Sequence, residues 1–277
     1  MKTAKNWQAG YTIMEVMIFL IISSALLVSA VGLFGPRIAN TQFNQSVQEL
    51  VTRIRLVANQ VSTGTYTDLT NFSCTVNAFG APAVAAGTDT QGTRSDCIFV
   101  GNVMNFSVPT NIIATYVVMG GRLVKPANTS PQTLYEANPR LVSITPNVTD
   151  YYKLPNSMKV LGLYRVDAAG ATTEVSALGF FQSFGNYGSN ANLNSGSQNA
   201  VVGTLSTAAL PVPVLPVAPA SFTNINAVIR ASPSADTSTT TNILLCVQGG
   251  NDKKAGIEID TQSSSFAASI TMDDARC

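Results

Sequence analysis

The sequence predicts an α+β fold: a long N-terminal helix, one half in a membrane and one half amphipathic, packed on a β-rich globular head. Three observations predict it. Nineteen residues from Val16 to Phe34 carry no charge. Behind them, Phe43, Val47, Leu50, Ile54, Val57 and Val61 recur at spacings of 4, 3, 4, 3 and 4, one apolar stripe along a helix. From residue 63 onward, β-branched and aromatic runs are bounded by Gly, Pro, Asn and Ser, the composition of strands and turns.

Bulk properties narrow the function. Net charge is +1 over 277 residues and only 11% are charged, so the basic excess that neutralises phosphates is missing and nucleic acid is not indicated as a partner. Histidine is absent, which removes the commonest general base and neutral metal ligand. Ser–His and Cys–His arrangements cannot be built, and no SxxK or acid pair stands out. No DxDxDG run marks a calcium loop, although Asp89, Asp96, Asp273 and Asp274 are available to converge in space. The "GGNDK" glycines at 249–253 lack the GxxxxGK[ST] pattern of a phosphate loop. We expect no enzyme, no cofactor and no metal.

The N-terminus reads as a targeting segment. Met1 to Gly10 is polar, with Lys2 and Lys5 and no acid, and an apolar run over 13–34 follows, long enough to span a bilayer. The lysines orient Met1 to the cytoplasm and everything after Arg37 to the outside, a single-pass precursor with an extracytoplasmic head. A cleaved secretory signal ending near "LVSAVG" is one alternative. A plain signal anchor carrying a non-polymerising binding module is another. Neither explains Gly10 between leader and apolar run, or Glu15, whose charge costs about 2.5–3.5 kcal/mol at the centre of a membrane helix.

Gly10-Tyr11-Thr12-Ile13-Met14-Glu15 followed by an apolar run resembles the class III signal of type IV pilins and type II secretion pseudopilins. The resemblance implies a prepilin peptidase that cuts after Gly10 and methylates the new N-terminus, Tyr11. The family's usual first residue is Phe, and Tyr11 keeps the aromatic ring. Glu15 matches the fifth mature residue. It is implied to pair with the amine of an adjoining subunit and so set axial register in a filament, since a buried charge is tolerable only when partnered. An acid in the first turn also suits the positive end of its own helix. Other pilin or pseudopilin subunits are then the partners, and the chain is a minor pilin or pseudopilin of a type IV pilus or type II secretion-like filament, serving adhesion, motility, DNA uptake or secretion. Its 267 mature residues (277 minus 10) and long loops favour a minor subunit. Removing Lys2 and Lys5 leaves 14 Lys and Arg against 15 acids, a mature charge of −1 that lends DNA uptake no support.

The domain reading is a leader over 1–10, an assembly helix over 11–35, an amphipathic helix over 36–62 and a head over 63–277. Pro36 predicts a kink or break near 35–36. The stripe behind it needs cover, which a sheet from the head supplies most economically; a coiled-coil dimer is the runner-up. Strands are predicted over 97–108, 112–120, 140–145, 158–167, 174–184, 224–232, 242–248, 255–260 and 267–272. Long loops are predicted at about 78–96 and 185–222, the second ending in a proline-rich polyproline II stretch. Gly249, Gly250 and Asn251 are predicted to turn a hairpin between 242–248 and 255–260. Cys74, Cys97, Cys246 and Cys277 suit two disulfides in an exported chain. Three pairings are open, and neighbours are preferred because each closes a compact loop. The tail "LLCVQGGNDKKAGIEID" with "ASITMDDARC" is loosely similar to minor pseudopilin heads of the general-secretion H and fimbrial T type.

Overall fold

The computed structural model describes residues 11–64, 72–87, 96–106, 111–124, 126–131, 134, 136–141, 149–167, 169–182, 200–206, 240–250, 252–260, 267–272 and 275–277. One helix, α1, runs Ile13–Ser62, and twelve strands follow it among the described residues. Strands β1 (Phe72–Val76) and β2 (Pro82–Ala86) form an antiparallel pair of their own. Ten strands form one antiparallel sheet: β3 (Cys97–Asn105), β4 (Ile112–Gly121), β5 (Arg140–Leu141), β6 (Thr149–Lys153), β7 (Lys159–Asp167), β8 (Thr172–Gln182), β9 (Ala200–Ser206), β10 (Thr240–Gln248), β11 (Lys254–Asp260) and β12 (Ala267–Met272). The order is β12-β11-β10-β7-β8-β3-β4-β5, with β6 also on β4 and β9 also on β8. Strand β8 is the pivot. Its residues 172–175 pair with β7, residues 177–181 pair with β3, and β9 pairs along 175–182.

Period-two alternation divides the sheet into two buried faces. On β4, Ile113, Val117 and Met119 join the cluster under α1, while Ala114, Tyr116 and Val118 join a second cluster with Leu134, Ala137 and Leu141. The α1 stripe supplies Phe43, Val47, Leu50, Ile54, Val57 and Val61 to the first cluster, and Val51 and Ala58 widen it. Each fully buried aliphatic side chain is worth about 1.5–3 kcal/mol against exposure, so this half of α1 is held mainly by burial. Three polar contacts then fix its rotation. Asn156 donates to the Oγ of Ser46 at 2.9 Å, Arg53 pairs with Asp150, and Arg55 donates to the carbonyl of Ala268 at 3.2 Å.

The expected fold class needs correction. Strands hold more of the described chain than the helix does, and α1 is not divided into a membrane half and an outer half. It passes through Pro36 without a break. A proline deletes one hydrogen bond of the ladder, and the long helical flanks on either side retain theirs. Among the described residues no helix is long and apolar enough to cross a membrane. The expected single-pass membrane location, with contact through 13–34, is therefore withdrawn.

Two expected loops contain strands. β2 lies inside 78–96 and β9 inside 185–222. The "PAVAA" of β2 is alanine-rich and reads poorly as β, yet it pairs with β1 in full register, Cys74 opposite Val84. The expected strand at 224–232 lies outside the described residues. The 249–253 hairpin turn is closed by Gly249 donating to the Lys253 carbonyl at 2.8 Å. Among the described residues of the turn the left-handed one is Asp252, with φ +60°, rather than a glycine.

Candidate functional site

The residues singled out by sequence fall at the start of α1. Gly10 lies outside the described residues. Tyr11 is the first described residue and is 83% exposed. Thr12 is the N-cap, in extended backbone with ψ 149°, and its hydroxyl accepts from the Glu15 N–H at 3.3 Å. Its carbonyl accepts from Glu15 and Val16 at 3.1 and 3.2 Å, closing the first turn. Glu15 thus occupies the third helical position, and its carboxylate faces solvent near the positive end of the helix. The order Thr12-x-x-Glu15 is a capping-box pattern, a local reason for the acid that the sequence reading passed over.

The flank behind Glu15 is unusual in its exposure. Ile13, Met14, Phe19, Leu26, Leu27 and Val28 all stand more than 65% exposed. The same helix, fifteen residues further on, buries its apolar stripe to 3% or less from Phe43 to Val61. Nothing among the described residues of the head covers the first half. One helix therefore has a free apolar arm and a docked stem.

The cysteines pair as Cys74–Cys97 and Cys246–Cys277. The first joins β1 to the start of β3 and so fixes the small hairpin to the main sheet. The second ties the last residue to a side chain only 1% exposed. Cys246 lies between Gly162 on β7 and Gly256 on β11, and the Tyr164 ring fills the space that a side chain at Gly162 would need.

A second polar constellation, missed from sequence, sits where α1 meets β6. Arg53 pairs with Asp150, and its guanidinium lies 5.9 Å from the centre of the Tyr152 ring. Burial, helped by the negative charge of Glu49 nearby, holds the Tyr152 hydroxyl well above the ordinary tyrosine range. The one legible signal was the i, i+4 spacing of Glu49 and Arg53 on the polar side of the stripe. These groups dock the helix on the sheet.

Among the described residues no three His, Cys, Asp or Glu side chains are grouped to hold a metal ion. Of the acids weighed from sequence, Asp89, Asp273 and Asp274 lie outside the described residues. No family model, curated protein or solved structure matches the chain.

Proposed function

We propose that the chain is a structural subunit of a helical filament, a minor pilin or pseudopilin freed of its leader after Gly10 and assembled through the arm of α1. The supporting observation is the contrast within α1, an apolar arm left bare and a stem sealed on the head. Apolar surface on that scale seeks cover, and the arms of neighbouring subunits offer cover of the same shape. The arm starts with an acid behind an exposed aromatic residue, where a new amine would form. Prepilin peptidase and other pilin or pseudopilin subunits are the proposed partners.

The test is intact mass after co-expression with a prepilin peptidase. The proposal expects loss of residues 1–10 and one methyl group on Tyr11, both abolished in Gly10→Val. Retention of Met1 in the presence of active peptidase would overturn it. Glu15→Ala is expected to leave cleavage intact and to lower incorporation into filaments at least about tenfold, the equivalent of 1.4 kcal/mol. Unchanged incorporation would remove the register role from Glu15.

A further inference from the structure

We infer that the C-terminal strand is exchangeable: β12, with the terminal residues 275–277, takes the same seat on β11 of a second copy of this chain as it takes on its own. This inference stands on the far edge of the sheet and does not depend on the filament reading. Strand β11 is built into the core, with Ala255, Ile257 and Ile259 fully buried in the cluster beneath α1. Strand β12 contributes little to that core. Ala267, Ser269, Thr271 and Met272 are exposed, and only Ala268 and Ile270 are half-buried.

What holds β12 is main-chain pairing, Ala255 opposite Met272 through Asp260 opposite Ala267, and four point tethers. Arg55 donates to the Ala268 carbonyl at 3.2 Å, and Lys254 to the Cys277 carbonyl at 2.8 Å. Arg276 meets Glu258 at 3.5 Å, and Cys277 bonds to Cys246. Every tether joins the strand or tail to a group outside it. The same strand from a second copy brings the same donors and acceptors in the same register, so the contacts themselves do not distinguish the two, and only the short covalent connection favours the resident strand, an advantage that rising protein concentration offsets. Ala267–Met272 also lacks the charges and prolines by which edge strands repel foreign pairing.

The disulfide records which strand is seated. Cys246 is 1% exposed, so a foreign Cys277 reaches it only where the resident tail has left. To open the bond, the thiolate of an external thiol attacks the Sγ of Cys277, the less buried residue of the pair. Cys246 leaves as thiolate and is protonated, and a second external thiol releases Cys277 while the two external sulfurs become a disulfide. Closure is the reverse, with a low-molecular-weight disulfide as oxidant.

The experiment mixes equal amounts of full-length light chain and isotopically heavy chain in a native glutathione redox buffer, traps thiols, and maps disulfide-linked peptides. Exchange predicts mixed heavy–light Cys246–Cys277 pairs rising with protein concentration toward about half of all such pairs, the random limit for a strand-exchanged dimer. Cys74–Cys97 pairs, which join β1 to β3 away from the exchanging strand, should stay unmixed. A second arm mixes C246S with C277S, where the bond can form only between chains; a covalent dimer mapped to Cys246–Cys277 is expected. Absence of mixed pairs in the first arm overturns the inference. So does a second arm that yields only Cys277–Cys277 links, which need no displaced tail.

Discussion

At the scale of single residues, two tyrosines carry a pH signature. Tyr116 is 1% exposed on the face away from α1. Burial, with Tyr151 nearby, pushes its hydroxyl up to about 12, against a lowering hydrogen bond with Asn105. Tyr152 moves in the same direction, for the reasons given above. Both groups keep their protons in the folded chain at pH values where the unfolded chain releases them from a pKa of 10.0. Their contribution to stability is therefore complete below pH 10 and is lost as pH rises toward and through 12. An ultraviolet titration should show two tyrosine ionisations displaced well above pH 10, and Tyr116→Phe should flatten the alkaline fall in stability. Ionisation of all tyrosines in one step near pH 10 would contradict this. Arg53→Ala, which leaves Asp150 without its partner at a half-exposed site, should cost about 1 kcal/mol or less by chemical denaturation.

At the scale of elements, the two halves of α1 should answer mutation differently. Ile54→Ala removes a fully buried side chain from the interface with the sheet and should cost about 2–5 kcal/mol. Phe19→Ala, at a site 70% exposed, should change the stability of the isolated chain by no more than about 0.5 kcal/mol. A large loss from Phe19→Ala in a monomer would mean the arm is covered after all. The docked stem was legible because a stripe of spacing 4, 3, 4, 3, 4 has only one helical reading, and all six of its residues are buried. The strands that went unread lack such a pattern. β1 is five residues of mixed polarity, β2 is mostly alanine, and "TDYYK" in β6 carries charge at both ends. β9 sits in a stretch whose Asn, Gly and Ser content reads as loop. These strands gain their place from neighbours: β6 and β9 attach to β4 and β8 by backbone pairing, and β1 is bonded to β3 through Cys74. Local propensity does not record that kind of support. The break expected at Pro36 failed for the opposite reason, a strong local rule outweighed by the helix on either side.

At the scale of the molecule, the two disulfides bracket the head. Each closes a loop of 23 or 31 residues in the unfolded chain, and loop-closure entropy values such bonds at about 3–4 kcal/mol apiece. Cys74→Ser with Cys97→Ser should lower the denaturation midpoint by the equivalent of one bond and leave the β10–β11 hairpin intact by amide exchange. A midpoint equal to that of the intact chain would show that the β1–β2 hairpin is held by packing alone. The arm at the start of α1 is the part of the candidate site that sequence disclosed, because Glu15 breaks an apolar run. The C-terminal seat was disclosed only in part. Cys277 pointed to a tether, whereas the thin burial of β12 is a property of the assembled sheet.

The unbroken course of α1 also has a mechanical meaning. Fifty residues at 1.5 Å each make a rod of about 75 Å, with its far end embedded in the head by packing and three polar pins. The backbone is helical from end to end, so arm and stem belong to one element. Whatever grips the arm therefore takes hold of the same helix on which the sheet is packed.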